Sequence, residues 1–516
     1  MNIKITYNWL LEYLDTDANP YEIQKYLSLC GPSVEKIEKK DDDYVLDVEI
    51  TSNRIDSASI IGIAQECTAI LPRFGKKARL KYNSLKDQKN IQNILPSSHH
   101  RYTLNTKNNP ELCSRFTALI FSDVSIEKSP DHIQKRLTLV DIKSINNVVD
   151  ISNYLMVTFG QPVHMFDYDT INDQTMIVRE SKKGEQITTL DGTICTLEEG
   201  DIVIEDGNKK LIDLCGIMGG LSSSITEKTK NIILFVQTFN KEKIRKTSMR
   251  LAQRTIAATY FEKGLDEERV VPTLLSGTEL LKKYAHAHPT SKIYDIYPHL
   301  LTLKTIDITS ENIQKSLGIT LEEKEIVSIL ENLGFSVSKK EKKSDTIYTI
   351  TIPSYRKNDV TIKEDIIEEI ARIYGYFNFP SHIPKTDLPP TDKKKEKMIF
   401  YENKVKDILA LWGMHEMYNY SMISEKQISL LNLDKGKHLK IQNTISSDIE
   451  YMRISLVPSL LKNIHENEAF VDECLFFELA HVYDKKPPRL PDEKSMLTLA
   501  INSDFFDLKG IIESLL

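Results

Sequence analysis

The chain has 516 residues, 41% hydrophobic and 27% charged, with a net charge of -7 at pH 7. It is too long for one ordinary core and globular in composition, so several domains are expected, and no apolar run approaches the ~20 residues that span a bilayer. The acidic balance excludes a general nucleic-acid binder, because phosphate neutralisation needs surplus Lys and Arg, so any RNA contact is local or shared with a partner.

The opening MNIKITYNWLLEYL lacks a basic region followed by an apolar stretch and a cleavage site, so no signal peptide is read and the cytoplasm is the expected location. Asn19, Pro20 and Glu22 read as N-cap, first-turn proline and capping-box acid of a helix from Pro20 to Cys30, stopped at Gly31-Pro32. VLDVEI alternates like a half-buried strand, and IIGIAQECTAIL has helical spacing. These make a small α/β unit over residues 1–83. The polar stretch from Ser84 to His100 reads as a linker, and the many short strand-like runs beyond it, separated by Gly and Asp-Gly turns, give a mixed α/β domain over 84–299. Residues 300–384 form a helix-strand domain: Thr320-x-x-Glu323 opens a helix closed by Gly334, FSVS and YTITIPSY are strands, and a last helix runs from Lys363 to Tyr374. The charge run KTDLPPTDKKKEK reads as a solvated linker to a final domain, residues 385–516. The fold class is multidomain α+β. The six cysteines are scattered without a C-x-x-C pair, which argues against zinc and disulfides and for buried thiols.

Chemistry is sparse. In NDVTIKEDIIEEIARIYGY, Asp365, Glu368 and Glu369 stand at i, i+3 and i+4 on one helical face, with Asp359 just before it. Hard oxygen donors so grouped suit magnesium, but spacing favours acids that merely complement the helix macrodipole and face water. His164, one of twelve histidines, is by itself more often structural than a proton carrier. Gly216, Gly219 and Gly220 allow backbone to approach a ligand or simply make a tight turn, and the Lys-Ser/Thr ending of a phosphate loop is missing. No G-x-S-x-G elbow, H-E-x-x-H or dinucleotide fingerprint occurs.

A collinear set of motifs nevertheless resembles one family over essentially the whole chain. YNWLLEYLD, EITSNRIDSASIIGIAQE, VVDISNYLMVTFGQPVHMFD, GIMGG, IPSYRKNDVTIKEDIIEEIARIYGY, YMRISLVPSLL and DFFDLKGIIESLL are similar, in order, to motifs of the phenylalanyl-tRNA synthetase β subunit. The resemblance implies an α2β2 heterotetramer whose α subunit binds ATP, phenylalanine and the end of tRNA(Phe), while β supports that site. It implies Mg2+ held by Asp359, Asp365, Glu368 and Glu369 as a structural ion. It also implies that the second domain is an editing module hydrolysing tyrosine misattached to tRNA, with pocket positions Asn153, His164, Gly216, Gly219, Thr255 and Ala257. Hydrolysis of an ester needs a positioned water and polar groups near the carbonyl, which His164, Thr255 and the glycine amides are expected to supply.

The sequence departs from the family pattern in three places. Phe235 stands where the family has an acid able to receive the tyrosine hydroxyl, so poor discrimination of tyrosine is expected, because an apolar pocket gains little from an extra hydroxyl. VEKIEK passes to DDDYVLDVEI without the inserted tRNA-binding domain of many relatives. The final segment, which resembles a class II synthetase core built on an antiparallel sheet but without catalytic duty, reads as incomplete at Leu516 and without the C-terminal anticodon-contacting module. Its Met452, Arg453 and Phe477 to Leu479 read as core and interface, and an apolar contact with α is expected. The alternatives are a free-standing editing hydrolase and a purely structural scaffold.

Overall fold

Capping sets the first helix. In the computed structural model, which describes residues 1–81, 101–342, 345–381, 383 and 390–516, Asn19 accepts from the Tyr21 and Glu22 amides and Glu22 accepts from the Asn19 amide at 2.9 Å. The helix Pro20–Cys30 follows, burying Ile23 and Leu27. Its sheet is three-stranded and antiparallel: Asp43–Glu49 lies between Asn2–Thr6 and Ser33–Lys40. The helix Ile60–Ile70 packs on this unit, with Ile63, Ala64, Cys67 and Ile70 fully or almost fully buried. The linker expected from Ser84 to His100 lies outside the described residues.

Two five-stranded sheets follow. One is ordered His288–Pro289, Cys113–Ser122, Ile232–Phe239, Val163–Asp167, with Tyr294–Ile296 also paired to Cys113–Ser122. Ile232–Phe239 is buried at every position because both faces are covered. Leu119, Phe121, Met165, Ile232, Leu234 and Val236 face the helices Asn147–Phe159 and Val270–Tyr284, while Phe116, Ile120, Phe166, Ile233 and Phe235 alternate onto the other face. The second sheet runs Met218–Gly219, Leu211–Leu214, Ile202–Glu205, Thr175–Glu180 and, in parallel, Asn105–Lys107.

A third sheet places Asp345–Thr351 between Thr305–Thr309 and Ser336–Lys342, with Lys363–Tyr374 packed through Ile366, Ile367, Ile370 and Ile373. The helix expected to open at Thr320 is Glu323–Asn332, entered through Glu322 without a side-chain cap; Thr320 lies two residues too early to reach the first turn. All six cysteines are buried and unpaired. No helix among the described residues is long and apolar enough to cross a membrane.

The chain divides into two compact units, Met1–Ser381 and His382–Leu516. In the second, Asp392 caps a 19-residue helix, Lys393–Leu411, so KKKEK is the start of a helix and not the linker expected from its charge. The strands Leu475–Asp484 and Asp492–Ile501 form a long antiparallel hairpin, extended by His415–Glu416, which pairs in parallel.

Candidate functional site: an arginine-filled acidic cleft and a seam between sheets

Asp359, Asp365, Glu368 and Glu369 do line one cleft of about 400 Å³, together with Arg54, Arg356 and Arg372. The arginines decide its chemistry. Glu369, 3% exposed, accepts from Arg356 Nη1 and Nη2 at 2.9 and 2.8 Å and from Arg372 Nη2 and Nε at 2.6 and 3.0 Å. Burial alone would raise its carboxyl, but the two guanidiniums outweigh that and hold it far below the ordinary range. Asp359 accepts from Arg356 Nε at 2.9 Å and from Asn53 Nδ2 at 2.6 Å. Asp365 receives the Thr361 and Ile362 amides at 2.7 and 3.0 Å, as a capping carboxylate does. Glu368 is exposed. Arg372 continues to Glu66 Oε2 at 2.8 Å and the Cys30 carbonyl at 2.9 Å, and Arg54 joins Glu66 and Asp56.

Magnesium needs several free oxygens in near-octahedral array. Among the described residues no three acidic, histidine or cysteine side chains are grouped to hold an ion. The residues as placed do not fit the expected four-carboxylate site, because guanidiniums and helix-start amides take the oxygens. An ion would have to displace Arg356 from Asp359 and Glu369. Sequence reading missed Arg54, Glu66, Arg356 and Arg372. Two of these carried a signal, since Arg356 precedes Asp359 by three residues and Arg372 follows Glu369 by three, the spacing at which helical neighbours pair.

In the second site, His164 and Phe235 are directly paired across adjacent strands. A Cβ on Gly219 would lie 2.5 Å from His164 Nε2, so only glycine lets the second sheet meet the imidazole. That nitrogen is inaccessible and has no hydrogen-bond partner, and burial pushes the imidazole down to about 4. Gly216 has φ of +66°, in the left-handed region, and its open side faces Ile244, Phe261 and Phe239. Thr255 caps the helix Ile256–Phe261 through the Ala258 amide and donates to the Ile217 carbonyl at 2.8 Å, tying that helix, and Ala257 within it, to the glycine loop. Asn153 lies on Asn147–Phe159, the helix covering the opposite face of the His164 sheet, and so enters from elsewhere. Phe235 is fully buried, edge-on to Phe116 at 4.9 Å between ring centroids and tilted against Phe166 at 5.7 Å.

In the second unit Arg453, 2% exposed, donates to Glu478 at 2.7 Å and to the His481 carbonyl at 3.0 Å, and Phe477 is 1% exposed. Both are core, as expected.

Three family models match in succession: the B3/4 domain over residues 112–286, the tRNA synthetase B5 domain over 306–376, and the phenylalanyl tRNA synthetase beta chain CLM domain over 379–516. The chain belongs to the phenylalanyl-tRNA synthetase β-chain family. Similar members are the phenylalanine--tRNA ligase beta subunits of Carboxydothermus hydrogenoformans, 34% identical over 94% of this chain and 61% of the relative, and of Clostridium acetobutylicum, 33% identical over 92% and 59%. That of Staphylococcus aureus strain Mu50 is 33% identical over 90% and 56%. The chain thus spans about three fifths of the length of these β chains. The His164 seam falls within the B3/4 match, and the carboxylates of the arginine-filled cleft fall within the B5 match.

Proposed function

We propose that this chain acts as the β subunit of a phenylalanine-tRNA ligase, supporting ATP-dependent attachment of phenylalanine to tRNA(Phe) by an α subunit that carries the aminoacylation site. The observation that carries the reading is the ordered run of B3/4, B5 and β-chain CLM matches together with 34% identity over 94% of the chain to a β subunit. The surface of the second unit supports it. Phe400, Trp412, Tyr418, Tyr420, Phe470 and Phe505 are all at least 40% exposed there, a concentration of large apolar side chains that fits coverage by a partner chain.

On this reading Arg453 and Glu478 occupy each other and leave no guanidinium for a nucleotide phosphate, so this chain supplies shape and surface while α supplies the chemistry. The cleft at Glu369 is a rigid ion-pair hub joining the first helices to Lys363–Tyr374. The B3/4 segment hydrolyses misacylated tRNA: His164 is neutral at pH 7, the glycine loop brings backbone close, and Thr255 fixes the loop's position. Co-expression with an α chain tests the assembly. A stable complex is expected, and separate elution of the two chains would refute it.

A further inference from the structure

Across the seam from His164 stands a carboxyl that the sequence reading did not single out. Asp213 pairs directly with Gly219 on the neighbouring strand, and directly opposed residues project to the same face with Cβ positions about 5 Å apart. Gly219 is the residue whose open face meets His164, so Asp213 projects toward the imidazole from the opposite wall. It is 4% exposed, and its partner is the thiol of Cys215, two residues along on the same face. Burial pushes its carboxyl up to about 8, which keeps it a neutral hydrogen-bond donor at pH 7. His164 Nε2 is inaccessible and unpartnered. Between them the floor is aromatic, made of Phe116, Phe166 and Phe235, and Leu190, 42% exposed, lies at the rim against Gly219.

An aromatic floor flanked by two unsatisfied polar groups suits an aromatic ring that carries one hydroxyl. We propose that Asp213 is a specificity-determining residue of this seam, hydrogen-bonding the phenol hydroxyl of an aminoacyl ester whose ring lies on Phe116, Phe166 and Phe235. The proposal rests on the reading of this segment as an ester-hydrolysing module. Phe235 removes a polar group from one sheet and Asp213 supplies one from the other. Discrimination then follows from the unpaired buried carboxyl left when the hydroxyl is missing, an effect that reaches ~10⁴-fold in sites built to bond a hydroxyl. This replaces the poor discrimination expected from Phe235 alone.

The test uses the complex with the α chain and measures deacylation of tyrosyl-tRNA(Phe) and phenylalanyl-tRNA(Phe). The wild-type complex is expected to deacylate the tyrosyl ester at least 100-fold faster, a conservative figure beside the ~10⁴ limit. Asp213→Ala should cut that ratio at least tenfold, about one hydrogen bond's worth, with little change in phenylalanyl-tRNA hydrolysis. Asp213→Asn, which keeps a donor, should retain more of the ratio and controls for misfolding. If the wild-type complex deacylates both esters equally, or if it prefers tyrosine and both variants keep the ratio, the role of Asp213 is overturned while ester hydrolysis stands. If the wild-type complex deacylates neither, the hydrolytic reading itself falls, and the proposal with it.

Discussion

Glu369 shows how one side chain changes meaning between sequence and structure. Its i, i+4 relation to Asp365 suggested a shared ligand face, but its oxygens meet two arginines in a buried hub. Breaking such a pair leaves buried guanidinium charge unmatched, so Glu369→Gln should cost about 3 to 5 kcal/mol in unfolding free energy, read by thermal or urea denaturation. The sign with pH follows from its depressed carboxyl. The contribution is present above the ordinary glutamate pKa of about 4.3 and is lost as pH falls below it, so the gap between wild type and Glu369→Gln should narrow in acid. A Glu368→Ala, Glu369→Ala double variant should lower the melting temperature and leave magnesium content unchanged; magnesium lost in proportion to the substitution would restore the metal site. Asp213 runs the other way. Its raised carboxyl makes its contribution fullest below about pH 4 and lost as pH rises through about 8, so Asp213→Asn should gain stability over wild type across that interval.

At the scale of elements, what was legible was local. The helix Pro20–Cys30 was readable because Asn19, Pro20 and Glu22 act within one turn, and Asn19→Ala should cost about 1 kcal/mol, seen as faster amide exchange at Tyr21 to Ile23. Lys363–Tyr374 was readable for the same reason, with Asp365 capping its first turn. The start of Lys393–Leu411 was hidden, because three successive lysines oppose the helix dipole and only Asp392 offsets them. Sites were less legible because their parts are distant: Arg372 meets Glu66 across 306 residues, and Asp213 faces His164 only once the register with Gly219 is known. The glycines of GIMGG could be noted in sequence, but which one touches His164 depends on how two sheets pack.

At the scale of the molecule, the account is of a chain that supplies structure to a partner and holds a hydrolytic seam of its own. The buried Arg453–Glu478 pair and the apolar surface of the second unit point toward assembly, and the arginine-filled cleft makes a rigid platform of the first. The most direct test is phenylalanine-dependent pyrophosphate exchange by an α chain purified with and without this one. The account predicts that the two chains co-purify and that exchange depends on this chain, rising at least tenfold, about 1.4 kcal/mol of transition-state free energy, when it is present. Exchange by α that is unchanged by this chain, with no complex formed, would contradict it.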